Sequence, residues 1–194
     1  DDGESTDDEW NKLAEAAAKC KDLNKRIADV ADEISRLTDA VNGYDIDKVT
    51  SADKADVEKL ISDIDTLLDG DNLTESERAA LEALKGTARA LLDRIAAAKD
   101  AAEADEIKAV DGITKDNVKL EDKEALEEAE KALEGALRDF DGNYTEEENK
   151  DLETKLETVK AALAAIGNAE KVAEEIGKLP SAEGAKLSDK SALD

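Results

Sequence analysis

A repeat with a spacing of 69 residues is the feature that most constrains this sequence: Val41 to Lys54 aligns with Val110 to Lys123. A shorter version follows from Leu179 to Lys190, and all three segments end in Asp-Lys. A repeating unit of this kind buries its apolar face against neighbouring units. The repeat therefore predicts a tandem architecture rather than one irregular core.

Two kinds of helix alternate in the repeat. Apolar residues at i, i+3, i+4 and i+7 predict short helices over residues 51–69 and 121–140. A Thr-x-x-Glu capping box at Thr6, Thr74 and Thr145 begins three long helices, which we predict over residues 6–41, 74–109 and 145–178. Counted from each capping threonine, the same apolar residue types recur at positions +7 and +21: Leu13, Leu81 and Leu152, then Ile27, Ile95 and Ile166.

The helix lengths predict how the helices pack, because a short helix can cover only half of a long one. The predicted fold class is all-α: elongated tandem three-helix bundles in a spectrin-like rod, with long helices shared between repeats. Residues 1–5 form a disordered leader and residues 6–109 the first bundle. Residues 110–179 form a second repeat packed on the end of the preceding long helix, and residues 180–194 a loop and the start of a truncated third repeat. One compact bundle is the alternative.

Composition limits the functions open to such a chain. The formal net charge is -25, so the surface repels nucleic acid phosphates and anionic lipids. The apolar runs are too short for membrane insertion. The chain has no histidine, the commonest general base and metal ligand. We therefore predict no enzyme activity, catalytic residue, cofactor or metal site, and a monomer as a fragment.

The repeat also resembles a known family. The carrying stretches are Val49 to Lys54, Ala79 to Leu84, Val110 to Thr114, Asp122 to Leu126 and Gly142 to Glu148. They resemble FIVAR-type three-helix modules, which occur in tandem in large surface proteins of Gram-positive bacteria, particularly gut Firmicutes. The resemblance covers most of residues 38–190. It implies an extracellular, cell-wall-attached setting, and no single activity follows from it. The start, Asp1 to Glu4, shows no signal peptide.

A few residues are candidates for a site. Cys20 lies on the apolar seam of the first long helix, where we predict a small buried side chain; an exposed thiol that cross-links chains is the alternative. The acidic stretch Asp139 to Asn143 begins like a calcium loop, but Tyr144 and Lys150 occupy positions that need Gly and Glu. We interpret it as an acidic turn. Leu179 and Pro180 are interpreted as the next loop, with Pro180 ending the third long helix.

The four aromatic residues are Trp10, Tyr44, Phe140 and Tyr144. At helix ends and in loops, such side chains most often close the ends of a bundle. Aromatic residues also anchor interfaces, so Tyr44, Phe140 and Tyr144 are the candidate protein-binding residues.

These features favour a non-catalytic spacer or stalk segment of a bacterial surface protein. The alternative is a three-helix binding module for a host protein, such as an immunoglobulin or another serum or mucosal protein; an engineered helical scaffold is a third possibility. A binding module should expose an apolar patch on two adjacent helices, whereas a spacer should not.

Overall fold

The computed structural model describes residues 7–179, which form helices and connecting turns without a β-strand. The predicted all-α class is confirmed. The predicted leader at 1–5, the capping residue Thr6, Pro180 and the predicted third repeat at 180–194 lie outside the described residues. The helices are α1 (Asp7–Asn42), α2 (Lys54–Leu68), α3 (Glu75–Ala102), α4 (Asp105–Lys108), α5 (Lys123–Asp139) and α6 (Glu146–Gly177). Single 3-10 turns at Ser51–Asp53 and Leu120–Asp122 lead into α2 and α5.

The chain divides into two compact units, Asp1–Ala96 and Ala97–Asp194. The core of unit 1 combines the end of α1, the apolar face of α2 and the first part of α3. Each of these elements has one stripe of apolar side chains, and the three stripes face one another and are buried together. Burying each large aliphatic side chain contributes about 1.5–3 kcal/mol. The fully or almost fully buried members are Leu37, Val41, Val49, Val57, Ile64, Leu81, Ala88 and Leu91.

Unit 2 follows the same plan, with α4 as an additional element. Its core combines the end of α3, α4, the apolar face of α5 and the first part of α6. The most deeply buried members are Ala98, Ile107, Leu126, Ala129, Leu133, Ala162 and Ile166. In both units a short helix therefore lies against the end of one long helix and about the first two-thirds of the next.

The loops before the two short helices carry equivalent backbone hydrogen bonds. The amide of Val49 donates to the carbonyl of Asp45 at 2.9 Å, and the amide of Val118 donates to the carbonyl of Thr114 at 3.0 Å. The carboxylate of Asp53 accepts from the amide of Thr50 at 2.9 Å. Asp122 accepts from Lys119 in the same way at 2.8 Å. Asp53 and Asp122 therefore each cap the turn that starts a short helix.

The capping boxes predicted for α3 and α6 are present. The carboxylate of Glu77 accepts from the amide of Thr74 at 2.8 Å, and the hydroxyl of Thr74 accepts from the amide of Glu77 at 3.2 Å. Thr145 and Glu148 exchange the same two bonds at 2.8 and 3.3 Å. Each box satisfies backbone donors of the first helical turn, which have no partner within the helix.

The second long helix is shorter than predicted. We expected it over 74–109, but α3 ends at Ala102 and the separate turn α4 begins at Asp105, with Ala104 extended (φ -56°, ψ 147°) between them. Ile107 lies nine residues after Ala98. If α3 continued without a break, these nine residues would make two and a half turns, and Ile107 would lie on the helix face opposite to Ala98. The break turns Ile107 into the core of unit 2. The boundary between the two units falls after Ala96, within α3, whereas the first bundle was predicted to extend to residue 109.

The first long helix is less buried than its apolar seam suggests. Only Leu37 and Val41 of α1 are fully buried, and residues 7–29 are exposed throughout. The expectation that Cys20 is buried is wrong, because its thiol is free and exposed. The physical reason is that, within residues 7–179, no second helix packs against this part of α1. Apolar periodicity identifies a helix face that can be buried, but it does not show whether a partner helix is present.

Candidate functional site

Tyr144, a predicted binding residue, is part of the core of unit 2. Its side chain is only 9% exposed, and its hydroxyl donates a 3.0 Å hydrogen bond to the backbone carbonyl of Ala98 in α3. The ring of Phe140 meets it edge to face, with 6.4 Å between centroids. Such a pair adds about 0.5–1.5 kcal/mol beyond area burial. Both residues therefore pack the turn between α5 and α6 onto the bundle and present little surface to a partner.

Tyr44, the third predicted binding residue, lies at a different kind of turn, between α1 and α2 in unit 1. It follows α1 directly and packs, partly buried, against the core. Burial raises the pKa of its phenol, and the carboxylates of Asp56 and Asp53 raise it further. Tyr44 thus lies at a turn of unit 1, and Phe140 and Tyr144 lie at a turn of unit 2.

Ion pairs join the helices within each unit. Lys85 of α3 pairs with Asp65 of α2, and its side chain is only 15% exposed. In unit 2, Lys160 of α6 pairs with Glu134 and Glu130 of α5 at 2.7 and 3.9 Å. The hydrogen bond from Lys160 to Glu134 raises the pKa of the lysine. The Lys160 pairs are open to solvent, which weakens them, whereas Lys85 is largely shielded; all of these pairs connect neighbouring helices of one unit.

A cavity of about 110 Å³ opens in unit 2 between α4, α5 and α6. Its wall includes Ile107, Val110 and Leu133, with Thr154 and Thr158 on one side. Both threonine hydroxyls donate to carbonyls of their own helix, at 2.8 and 2.9 Å. Ligand pockets usually combine an apolar wall with polar groups directed at the ligand. Here both hydroxyls donate within their own helix, and the charged lining residues Lys155 and Asp111 pair with each other at 3.7 Å.

The acidic stretch Asp139 to Asn143 forms the turn between α5 and α6. Gly142 has a positive φ of 83°, and the amide of Asn143 donates to the carbonyl of Phe140 at 2.9 Å. Across residues 7–179, no three side chains of Cys, Asp or Glu come together in a way that could hold a metal ion. The turn reverses the chain between two antiparallel helices.

An exposed apolar face on the first half of α1 is the clearest candidate surface. It is defined by Leu13, Cys20, Leu23 and Ile27; the three aliphatic side chains are 59%, 51% and 54% exposed. Trp10, one turn earlier, is also exposed. Sequence reasoning missed this surface because the seam has the same pattern as the buried seams of α3 and α6. The sequence nevertheless shows that these four residues occupy the same positions, counted from Thr6, as buried residues of α3 and α6 counted from Thr74 and Thr145.

A second exposed apolar face lies at the end of α6. Val172, Ile176 and Leu179 are all strongly exposed. Ile176 and Leu179 correspond, at the 69-residue spacing, to Ile107 and Val110, which are buried in unit 2. Both faces therefore occupy positions that are buried in another copy of the unit.

Comparisons with protein-family models, with curated proteins and with solved structures found no match. None of the helices within residues 7–179 has the length and apolar character needed to cross a bilayer.

Proposed function

We propose that this chain is a non-catalytic helical repeat segment of a bacterial surface protein and that it acts as a spacer or stalk. The observation that carries the proposal is the shared plan of the two units. Each combines the end of a long helix, a capped 3-10 turn, a short helix and about the first two-thirds of the next long helix. Modules that bury their faces against sequence neighbours can be repeated to any length, as a stalk requires.

The arrangement of polar groups is consistent with a spacer. The ion pairs lie at helix surfaces, and the cavity in unit 2 has its hydroxyls bonded to their own helix. The formal net charge of -25 keeps such a segment soluble and separate from its neighbours at a crowded surface. The cell-surface setting rests on the resemblance of the repeat to FIVAR-type modules.

Small-angle X-ray scattering of the full chain tests the stalk. A compact chain of 194 residues would have a radius of gyration of about 16 Å. The proposed stalk predicts a value of at least about 25 Å, because a helix extends by 1.5 Å per residue and a stalk places successive repeats one after another. A value near 16 Å would contradict the proposal.

A second candidate function is the binding of a host protein, and the exposed apolar face of α1 favours it. Trp10 and the aliphatic residues after it are of the types that anchor interfaces. They lie along one helix, however, whereas three-helix binding modules present two adjacent helices. Titration of the immobilised chain with purified immunoglobulin G would separate the two functions. The spacer predicts no binding at micromolar concentrations; submicromolar binding that Leu23→Asp abolishes would favour the binding module.

A further inference from the structure

The exposed face of α1 has buried counterparts at the same register in both other long helices. Counted from Thr6, Thr74 and Thr145, the same four positions, +7, +14, +17 and +21, carry apolar side chains or cysteine; in α1 they are Leu13, Cys20, Leu23 and Ile27. The corresponding residues of α3 are Leu81, Ala88, Leu91 and Ile95, and those of α6 are Leu152, Val159, Ala162 and Ile166. All eight counterparts are buried, with at most 6% of any side chain exposed.

What covers these counterparts is the same in both units. On α3 the covering elements are the end of α1, with Leu37 and Val41, and the apolar face of α2. On α6 they are the end of α3 with α4, and the apolar face of α5. In each case the cover is a helical hairpin: the end of one long helix, a capped loop and the short helix that follows.

The positive charge of Lys21 in α1 also fits a covering hairpin of this kind. Position +15 is Lys160 in α6, and its ammonium pairs with Glu134 and Glu130 of the covering helix α5. The equivalent position in α1 is Lys21. A short helix with the acidic flank of α5 would therefore bring carboxylates to Lys21 while burying the apolar face.

We propose that the first half of α1 is a docking face for a helical hairpin of this repeat type, supplied by another copy of the repeat. The ligand is the end of a long helix followed by a short amphipathic helix with leucines at the spacing of Leu126 and Leu133. The inference rests on the repeat plan behind the proposed stalk. The two are separable, because scattering measures the dimensions of the chain and the test below measures occupancy of α1.

Cys20 provides a direct readout, because it is the only cysteine and lies within the face. Its rate of alkylation by iodoacetamide would be measured on the full chain with increasing amounts of a synthetic hairpin peptide, residues 97–144. We expect saturable protection, and a face occupied nine-tenths of the time would slow alkylation about tenfold. A rate that does not change, in this assay and in the tethered variant below, would overturn the proposal.

A tethered variant covers the case in which the free peptide does not fold. An added copy of residues 97–144 is placed directly before Thr6, so that Thr6 follows the hairpin as Thr145 does in the native sequence. Tethering raises the effective concentration to the millimolar range. We expect Cys20 to be protected here, and to become reactive again when the added copy carries Leu126→Asp and Leu133→Asp.

Two further variants locate the docking face. Leu23→Asp with Ile27→Asp should abolish protection by the peptide, whereas Val172→Asp with Ile176→Asp, on the exposed face of α6, should leave it unchanged. The reverse pattern would overturn the proposal. Protection that rises with the concentration of the chain alone would also overturn the proposal. In the folded chain the hairpin of residues 97–144 already packs against α6, so a second chain would then cover Cys20 through a different surface.

Discussion

The hydroxyl of Tyr144 joins the turn before α6 to the end of α3 within unit 2. It is almost fully buried and donates to the carbonyl of Ala98, while the residue at the same register in unit 1, Leu73, packs without a polar group. A hydrogen bond of this kind contributes about 0.5–1.5 kcal/mol. The sequence predicted an aromatic side chain at the end of a bundle but could not predict the acceptor, because a backbone carbonyl carries no signature in the sequence.

Replacement of Tyr144 by Phe tests that hydrogen bond. Tyr144→Phe should lower the free energy of unfolding by about 1 kcal/mol, because the ring is kept and only the hydroxyl is lost. Urea unfolding followed by circular dichroism measures the change. Tyr44→Phe is the matched control: it should have a small effect, and equal losses in the two variants would contradict this account.

The capping carboxylate of Glu77 gives the fold a specific pH dependence. Its pKa lies below the ordinary value of 4.5, first because the amide of Thr74 donates to it and then because the hydroxyl of Thr74 does. A carboxyl group with a lowered pKa stabilises the folded state above its unfolded pKa, and that contribution is lost as the pH falls through the folded pKa.

Glu77→Gln should therefore be less stable than the parent chain at pH 7. The difference should shrink as the pH falls below about 4.5, because the parent carboxylate then becomes protonated as well. Thermal unfolding at several pH values measures both effects. Glu75→Gln, which removes another charge from the same first turn, is the control; if it reproduces the full effect, the helix dipole and not the capping bond is responsible.

At the scale of elements, local signals predicted where most helices begin and end. Threonine–glutamate boxes mark the starts of α3 and α6, and Asp-Lys marks the starts of α2 and α5. These signals are local because a cap is made by residues three apart. The end of α3 at Ala102 was not predicted, because it depends on the position of Ile107 in the core of unit 2. Burial of α1 was overestimated for the same reason, since it depends on a partner helix.

Two glycines test whether helix and loop positions are correctly assigned. Gly86 lies on the exposed side of α3, where an added Cβ would meet no atom within 4 Å, so Gly86→Ala should stabilise the fold by about 0.5–1 kcal/mol. Gly112 has a φ of 83° in the loop before α5, so Gly112→Ala should destabilise it by about 1–2 kcal/mol. Chemical unfolding of both variants checks the signs; the same sign for both would show that one assignment is wrong.

At the scale of the whole molecule, the charge balance opposes folding. The chain has 52 Asp and Glu residues and only 27 Lys and Arg residues, so the carboxylates outnumber the cations about two to one. The excess negative charges repel one another more strongly in the folded chain, where they are closer together.

Added salt should therefore stabilise the protein. Raising sodium chloride from about 10 mM to 150 mM shortens the Debye length from roughly 30 to 8 Å and screens this repulsion. We expect a gain on the order of 1 kcal/mol, which corresponds to a rise of about 2–4 °C in Tm for a chain of this size. A fall in Tm would mean that attraction within ion pairs such as Lys160–Glu134 outweighs the repulsion.

Hydrogen exchange along the three long helices tests the central claim most directly, namely that each first half needs a covering hairpin and that α1 has none. A helix without a tertiary partner is marginally stable in water, so its amides exchange quickly. In the monomeric chain, amides of residues 13–27 should exchange far faster than those of residues 81–95 and 152–166, which lie in the two cores. Equal protection of the three segments would contradict the account.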